Sequence, residues 1–308
     1  MGLIAKRSTL KETWRWVNQF SKHPRFKLVS YILKLVLTAV ILYFVFRGLE
    51  LRSVLENMMR LSVGVILLLI LGSVLRHLIQ LTAWRMSLRI NPAYVPDLRA
   101  ELHSYLIGLP LAFAFPGGFA AMGRIFWVKN SSHIDSALAF VVERGFLTWA
   151  TWSFAATAAL MHFPGISPLW SLPLYLVLVT LPLWSKHLFR FWKEGEPYRA
   201  RYAGSAPRLA LLQIIAALIA LTQYWLILNS LQRISWLDNF KLMSLTTFSN
   251  SIPITLGGLG LRESFAIHFL KDAGFVASEA ISATLSLFLI QDVVPALIGL
   301  SVLWKKSR

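Results

Sequence analysis

Apolar runs of about 20 residues, the length that carries a helix across a bilayer, recur along this chain of 308 residues. They leave few folds open. Inside lipid every backbone polar group must find a partner within the protein, which only helices and closed barrels achieve. Charged residues make up 15% of the chain, against about a quarter in soluble domains. Mean hydropathy is +0.60, and the twelve Trp suit aromatic belts at the two interfaces. These features dictate an all-α polytopic membrane protein.

Six spans are predicted, at 28–46, 61–83, 135–161, 169–185, 208–230 and 276–304. Pro173 and Pro182 blur the ends of the fourth. Two more apolar regions, 102–129 and 240–272, are each long enough for one crossing but are broken in the middle by Pro and Gly. Irregular backbone at membrane depth survives only inside protein or beside a wet cavity, so both are expected to be re-entrant helical hairpins. Basic residues test the topology, because Lys and Arg gather on the cytoplasmic side. With both termini inside, the inside segments hold 19 Lys and Arg and the outside segments 6. Full crossing by both hairpins would move the basic segment 186–208, expected as a loop, to the outside. The domain division is therefore a basic cytoplasmic leader 1–27, one transmembrane domain 28–304, and a basic cytoplasmic tail 305–308.

The leader carries Lys6, Arg7, Lys11, Arg15, Lys22, Arg25 and Lys27. It either lies on anionic lipid or only sets topology; no cleavage site makes it a secretory signal. A net charge of +17 would suggest nucleic acid in a soluble chain. Here the charge flanks the spans, and no nucleic-acid partner is expected. The absence of cysteine excludes disulfides and thiol catalysis.

The order span, span, hairpin, span occurs twice, over 28–161 and 169–304, starting from opposite sides. That is an inverted-topology repeat, an architecture of transporters. The two breaks match. FPGGFAAMGR places Pro116, Gly117, Gly118 and Gly123 before Arg124, and IPITLGGLGLR places Pro253, Gly257, Gly258 and Gly260 before Arg262. Proline ends the incoming helix, and glycine permits backbone shapes closed to other residues. Each outgoing half-helix is expected to begin near the middle of the protein with unpaired N–H groups, an anion site. Arg124 and Arg262 should stand at these starts. A cation there disfavours the helix, so a negative partner is required: Glu143, Glu263, Asp292, or a phosphate, which the planar guanidinium can grip by two oxygens. The candidate substrate-binding set is Arg124, Arg262, Glu263, Glu143, Arg144, Asp292 and Asn250. Internal pairing of Arg124 with Glu143, or of Arg262 with Asp292, would instead merely pin the hairpins. Lys34 and Arg76 can snorkel to an interface and carry little functional weight.

No Walker A sequence, dinucleotide fingerprint or metal-ligand spacing occurs. No cofactor, no metal and no catalytic set are expected. The chain reads as a non-enzyme.

PITLGGLGLRE, with FPGGFAAMGR and VVERGF upstream, resembles the lysylphosphatidylglycerol synthase transmembrane (flippase-like) family over about 28–304. The resemblance implies movement of lipid between leaflets in a bacterial or archaeal cytoplasmic membrane. In two-part members a soluble domain aminoacylates phosphatidylglycerol; no such domain is seen here, so a standalone member is implied. The first break departs from the commoner pattern. Phe119-Ala120-Ala121-Met122 follows the Gly pair where an acid is usual, so no acid-dependent role passes to that hairpin. The expected function is ATP-independent translocation of an anionic or phosphate-bearing lipid, phospholipid or polyprenyl phosphate, with its tails left in the bilayer. Alternatives are a non-transporting scaffold for a lipid-modifying enzyme or glycosyltransferase, and a secondary transporter of a small anion. Arg262→Ala is expected to abolish transport in a folded protein.

Overall fold

A computed structural model describes residues 51–114, 116–192, 195–255 and 258–306. The leader, the predicted span 28–46 with Lys34, Gly257 and the last two tail residues lie outside the described residues. Helices α1 (Leu51–Met59), α2 (Val63–Leu88) and α3 (Leu98–Ala114) lead to a 3₁₀ segment, Pro116–Trp127. Next come α4 (His133–His162) and α5 (Pro168–Trp184), the latter continued by a 3₁₀ turn to Phe191. The second half, which α5 opens, continues with α6 (Glu196–Leu231), α7 (Trp236–Phe248), α8 (Leu261–Leu270) and α9 (Ala277–Phe288). A π-helical segment, Leu289–Val293, joins α9 to α10 (Val294–Lys306). No strand occurs among the described residues.

Serine caps start three of the long elements. The Ser62, Ser132 and Ser235 hydroxyls accept the N–H groups of Val65, Asp135 and Asp238, meeting donors that a helix start leaves free. Four helical stretches are long and apolar enough to cross a membrane: Val63–Leu88, Pro168–Phe191, Glu196–Leu231 and Ala277–Val302. The predicted span 135–161 is a helix of 30 residues, about 45 Å long. It is not among those four, since Asp135, Glu143 and Arg144 interrupt its apolar character. The expected basic loop 186–208 is instead a 3₁₀ turn followed by the first turns of α6. α1 was not foreseen; it packs on α9.

The packing is reciprocal between the halves. α2 lies against α6. The last helix of the first half, α4, packs on α7, and the last helix of the second half, α10, packs on α3. Both broken regions fold back on themselves, α3 against the 3₁₀ segment and α7 against α8. Outward faces of α2, α5 and α10 are apolar and exposed, while Ser104, Glu101, Gln213 and Thr246 are fully buried. This polar interior under an apolar exterior suits a chain dissolved in lipid.

Prolines sit inside several helices, and three of them, Pro110, Pro182 and Pro295, each remove the N–H that a carbonyl at a helix contact would have used. Neighbouring helices meet those carbonyls. Pro295 frees Gln291, whose carbonyl accepts from His77 Nε2 at 3.0 Å. Pro182 frees Leu178, whose carbonyl accepts from Trp149 Nε1 at 2.9 Å. Pro110 frees Leu106, against whose carbonyl Gly299 packs so closely that a Cβ would stand 2.2 Å from the oxygen. The π-helical segment frees Ile290 as well, and Ser73 Oγ donates to it at 3.2 Å. Gly299→Ala should therefore push α10 off α3 and lower stability by about 1–3 kcal/mol. A melting curve in detergent reads this directly, and an unchanged midpoint would mean that the contact is loose.

At one end of the bundle, Arg85 Nε donates to Glu101 at 2.7 Å, and Tyr94 Oη donates to the other oxygen of Glu101 at 3.2 Å. Burial, reinforced by the Glu101 charge, pushes the Tyr94 phenol well above its ordinary value. It therefore stays a donor and ties the connection between α2 and α3 to the α3 N-terminal turn.

Candidate functional site

The two broken regions converge on one cavity of about 360 Å³. Its wall combines α2, α3, the 3₁₀ segment and α4 from the first half with α6, α7, α8, α9 and the π-helical segment from the second. Four arginines line it, Arg76, Arg124, Arg144 and Arg262, with two acids, Glu143 and Asp292.

Arg124 is 2% exposed and donates through Nη2 to Glu143 on α4. Its guanidinium lies 3.9 Å from the centre of the Trp84 ring, a cation–π contact. Two residues one turn apart on α3 prepare its place. Ser104 Oγ donates to the Arg124 carbonyl at 3.0 Å. A Cβ at Gly108 would stand 2.8 Å from Arg124 Cδ, so the glycine clears a path for the side chain. The sequence expectation for this hairpin needs correction. Its outgoing half is not an α-helix beginning at the arginine; it is a 3₁₀ segment that begins at Pro116, runs through Gly117 and Gly118, and carries Arg124 near its far end. Three glycines and a proline in so short a stretch weaken an α-helix, and the tighter 3₁₀ turn takes its place.

The second hairpin follows the expectation more closely. Pro253 sits in a turn, and Gly258 and Gly260 hold φ of 76° and 82°, values that side-chain-bearing residues rarely adopt. A Cβ at Gly258 would also meet Asn250 Oδ1 at 2.7 Å. α8 starts at Leu261, directly after Gly260, so Arg262 does stand in its first turn. Its partner is Glu263, not Asp292: Arg262 Nη2 and Nε donate to Glu263 Oε1 at 2.9 and 3.1 Å. The other oxygen of Glu263 accepts the Gly260 N–H at 2.6 Å. One carboxylate thus neutralises the arginine and caps the helix. Arg262 and Glu263 are 3% and 0% exposed.

The remaining candidates are less committed. Arg144 has no hydrogen bond or ion pair among the described residues, and its Nε is buried without a partner. Its guanidinium stands 5.5 Å from the Phe140 ring. Asp292 likewise has no ion pair or hydrogen bond among the described residues. Asn250, exposed, completes the rim. Arg124 Nε, Ser244 Oγ and Thr255 Oγ1, on further cavity-lining residues, have no hydrogen-bond partner among the described residues.

Sequence reasoning gave Arg76 little weight and missed His77, Tyr105 and the glutamines. Arg76 Nη1 donates to Gln291 Oε1 at 2.9 Å. Gln291 Nε2 donates to Gln223, which donates to the Leu69 carbonyl at 2.6 Å. His77 takes the Tyr105 hydroxyl on Nδ1 at 2.8 Å, and Gln80 and Gln213 exchange paired amide bonds. The missed signal was helical spacing: Ser73, Arg76, His77 and Gln80 fall on one face of α2, three or four residues apart. Among the described residues no cluster of His, Asp and Glu could hold a metal ion.

None of the curated proteins matches this chain significantly. Residues 31–299 match the family described as the lysylphosphatidylglycerol synthase TM region. A match over most of the chain, on a helical fold with membrane-length apolar helices, makes this an integral membrane protein of the lysylphosphatidylglycerol synthase TM family, with a membrane-lipid-related role.

Proposed function

We propose that this protein moves an anionic or phosphate-bearing lipid between membrane leaflets, without ATP, through the cavity where its two hairpins meet. The carrying observation is the lining itself: four arginines against two acids, at the meeting point of both broken regions. Within the cavity Arg144 is the free planar donor for an anionic oxygen, and Arg76 and Asn250 stand beside it. Arg124 and Arg262, held by Glu143 and Glu263, fix the hairpins and bias the field. Asp292 is the counter-charge when the site is empty. The reciprocal packing of the halves supports an inverted repeat, with hairpins re-entering from opposite sides and both termini cytoplasmic. The protein acts as a transporter, not an enzyme, and its partner is membrane lipid.

The test uses purified protein in liposomes carrying fluorescent phosphatidylglycerol, phosphatidylcholine or polyprenyl phosphate, with leaflet access read by a membrane-impermeant quencher. Faster quenching than in empty liposomes is expected for the anionic probes. Equal rates across the whole panel would overturn the reading. One observation favours a second reading: both hairpin arginines are already paired internally, as in a scaffold whose hairpins only hold its shape. That reading predicts no lipid movement and a stoichiometric lipid-modifying enzyme as partner.

A further inference from the structure

The charged cavity is not isolated. It shares Ala150 and Phe154 with a second cavity of about 530 Å³, and that one shares Trp149 and Pro182 with a third of about 350 Å³. All three lie along α4. The face of this helix bearing Glu143, Arg144 and Thr151 looks into the charged cavity. The face bearing Val142, Gly145 and Phe146 looks into the third, whose lining among the described residues is apolar apart from Ser185 and Tyr202. α5 covers these outer cavities thinly. Of its described residues only Pro182 is buried, and its polar ties to α4 are the Trp149 bond to the Leu178 carbonyl and the contact of Thr157 with the Tyr175 hydroxyl. A binding site that is cationic at one end and apolar at the other matches an amphiphile.

We infer that the apolar groove between α4 and α5, running on from the charged cavity, holds the hydrocarbon tail of the lipid whose anionic head sits among the arginines. The inference rests on the proposed lipid-transport reading and gives it a tail site and a lateral exit. The tail does not simply stay in the bilayer; it leaves the headgroup cavity past Phe154 and Trp149 and lies under α5. Arg144 and Gly145, neighbours in sequence, then mark the boundary between head and tail. Gly145 is the natural place to block the groove. A Cβ there meets nothing within 4 Å, so a larger side chain enters open space without pushing on the fold.

The experiment uses the full chain in liposomes with a diazirine at the end of one acyl chain, on phosphatidylglycerol or on phosphatidylcholine. Labelled peptides are identified after irradiation, and lipid movement is measured on the same preparations. Phosphatidylglycerol should label residues 138–149 and 178–192 several-fold more than phosphatidylcholine does. Gly145→Trp should remove that excess and slow movement, while Gly204→Trp, on an equally open stretch of α6 that lines none of the three cavities, should change neither. Equal labelling by the two lipids would mean ordinary boundary lipid and would overturn the tail site. Normal labelling and movement in Gly145→Trp would overturn it too, leaving the transport reading intact. Selective labelling that Gly145→Trp abolishes, in a protein that moves no lipid, would support the tail site and sink the transport reading instead.

Discussion

Glu143→Gln lowers stability by about 3–5 kcal/mol, the usual cost of leaving one member of a buried ion pair uncompensated. The residue left behind is Arg124, 2% exposed and enclosed by Trp84, Phe140 and α3. It has nowhere to snorkel: Ser104 holds its backbone and Gly108 fits its side chain. Removing both charges with Arg124→Met and Glu143→Leu should recover most of the loss, because apolar replacements often match a buried pair. Thermal unfolding of wild type, Arg124→Met, Glu143→Leu and the double variant in one detergent forms the cycle, with Glu143→Gln measured beside them. Equal melting temperatures for wild type and Glu143→Gln would show that the pair does not hold the first hairpin.

Arg144→Gln behaves in the opposite way. Arg144 has no hydrogen-bond or ion-pair partner among the described residues, so its loss strands no buried charge and the melting temperature stays near wild type. Affinity for an anionic lipid should drop about 10- to 100-fold, in line with 1.5–3 kcal/mol for a hydrogen bond to a charged group. Native mass spectrometry with phosphatidylglycerol at several concentrations measures this. Undiminished binding would remove Arg144 from the site. The contrast also revises the expectation for Arg262→Ala. That change leaves Glu263 buried with only the Gly260 N–H, so it should weaken the hairpin as well as transport, and a loss of activity there would be ambiguous.

Much of this was legible in the sequence, for physical reasons. Spans declare themselves by length and hydropathy: α2, α5 and the run from α9 to α10 stand close to their predicted positions, and α6 ends where predicted but begins twelve residues earlier. The breaks were legible because Pro and Gly act locally, and Gly258 and Gly260 do adopt positive φ. Partner choice was not. Arg262 selects Glu263, its immediate neighbour, because that carboxylate can also cap α8; nothing in the one-dimensional pattern ranks it above Asp292. The 3₁₀ path of the first break was hidden as well, since it depends on α3 packing along it. Arg76 alone among the polar residues of α2 stood out in the sequence, as a charge that can snorkel, and the stripe that Ser73, His77 and Gln80 form with it went unread. Its role emerges only with the π-helical segment, whose freed carbonyls need Ser73 and His77.

The most direct test of the account compares the rates at which wild-type and Arg144→Gln proteins, reconstituted at equal density, expose inner-leaflet fluorescent phosphatidylglycerol to an impermeant quencher. The account predicts rapid exposure by wild type and a rate near that of empty liposomes for Arg144→Gln, with both proteins equally folded. Equal rates for the two proteins, whether both fast or both at background, would contradict it.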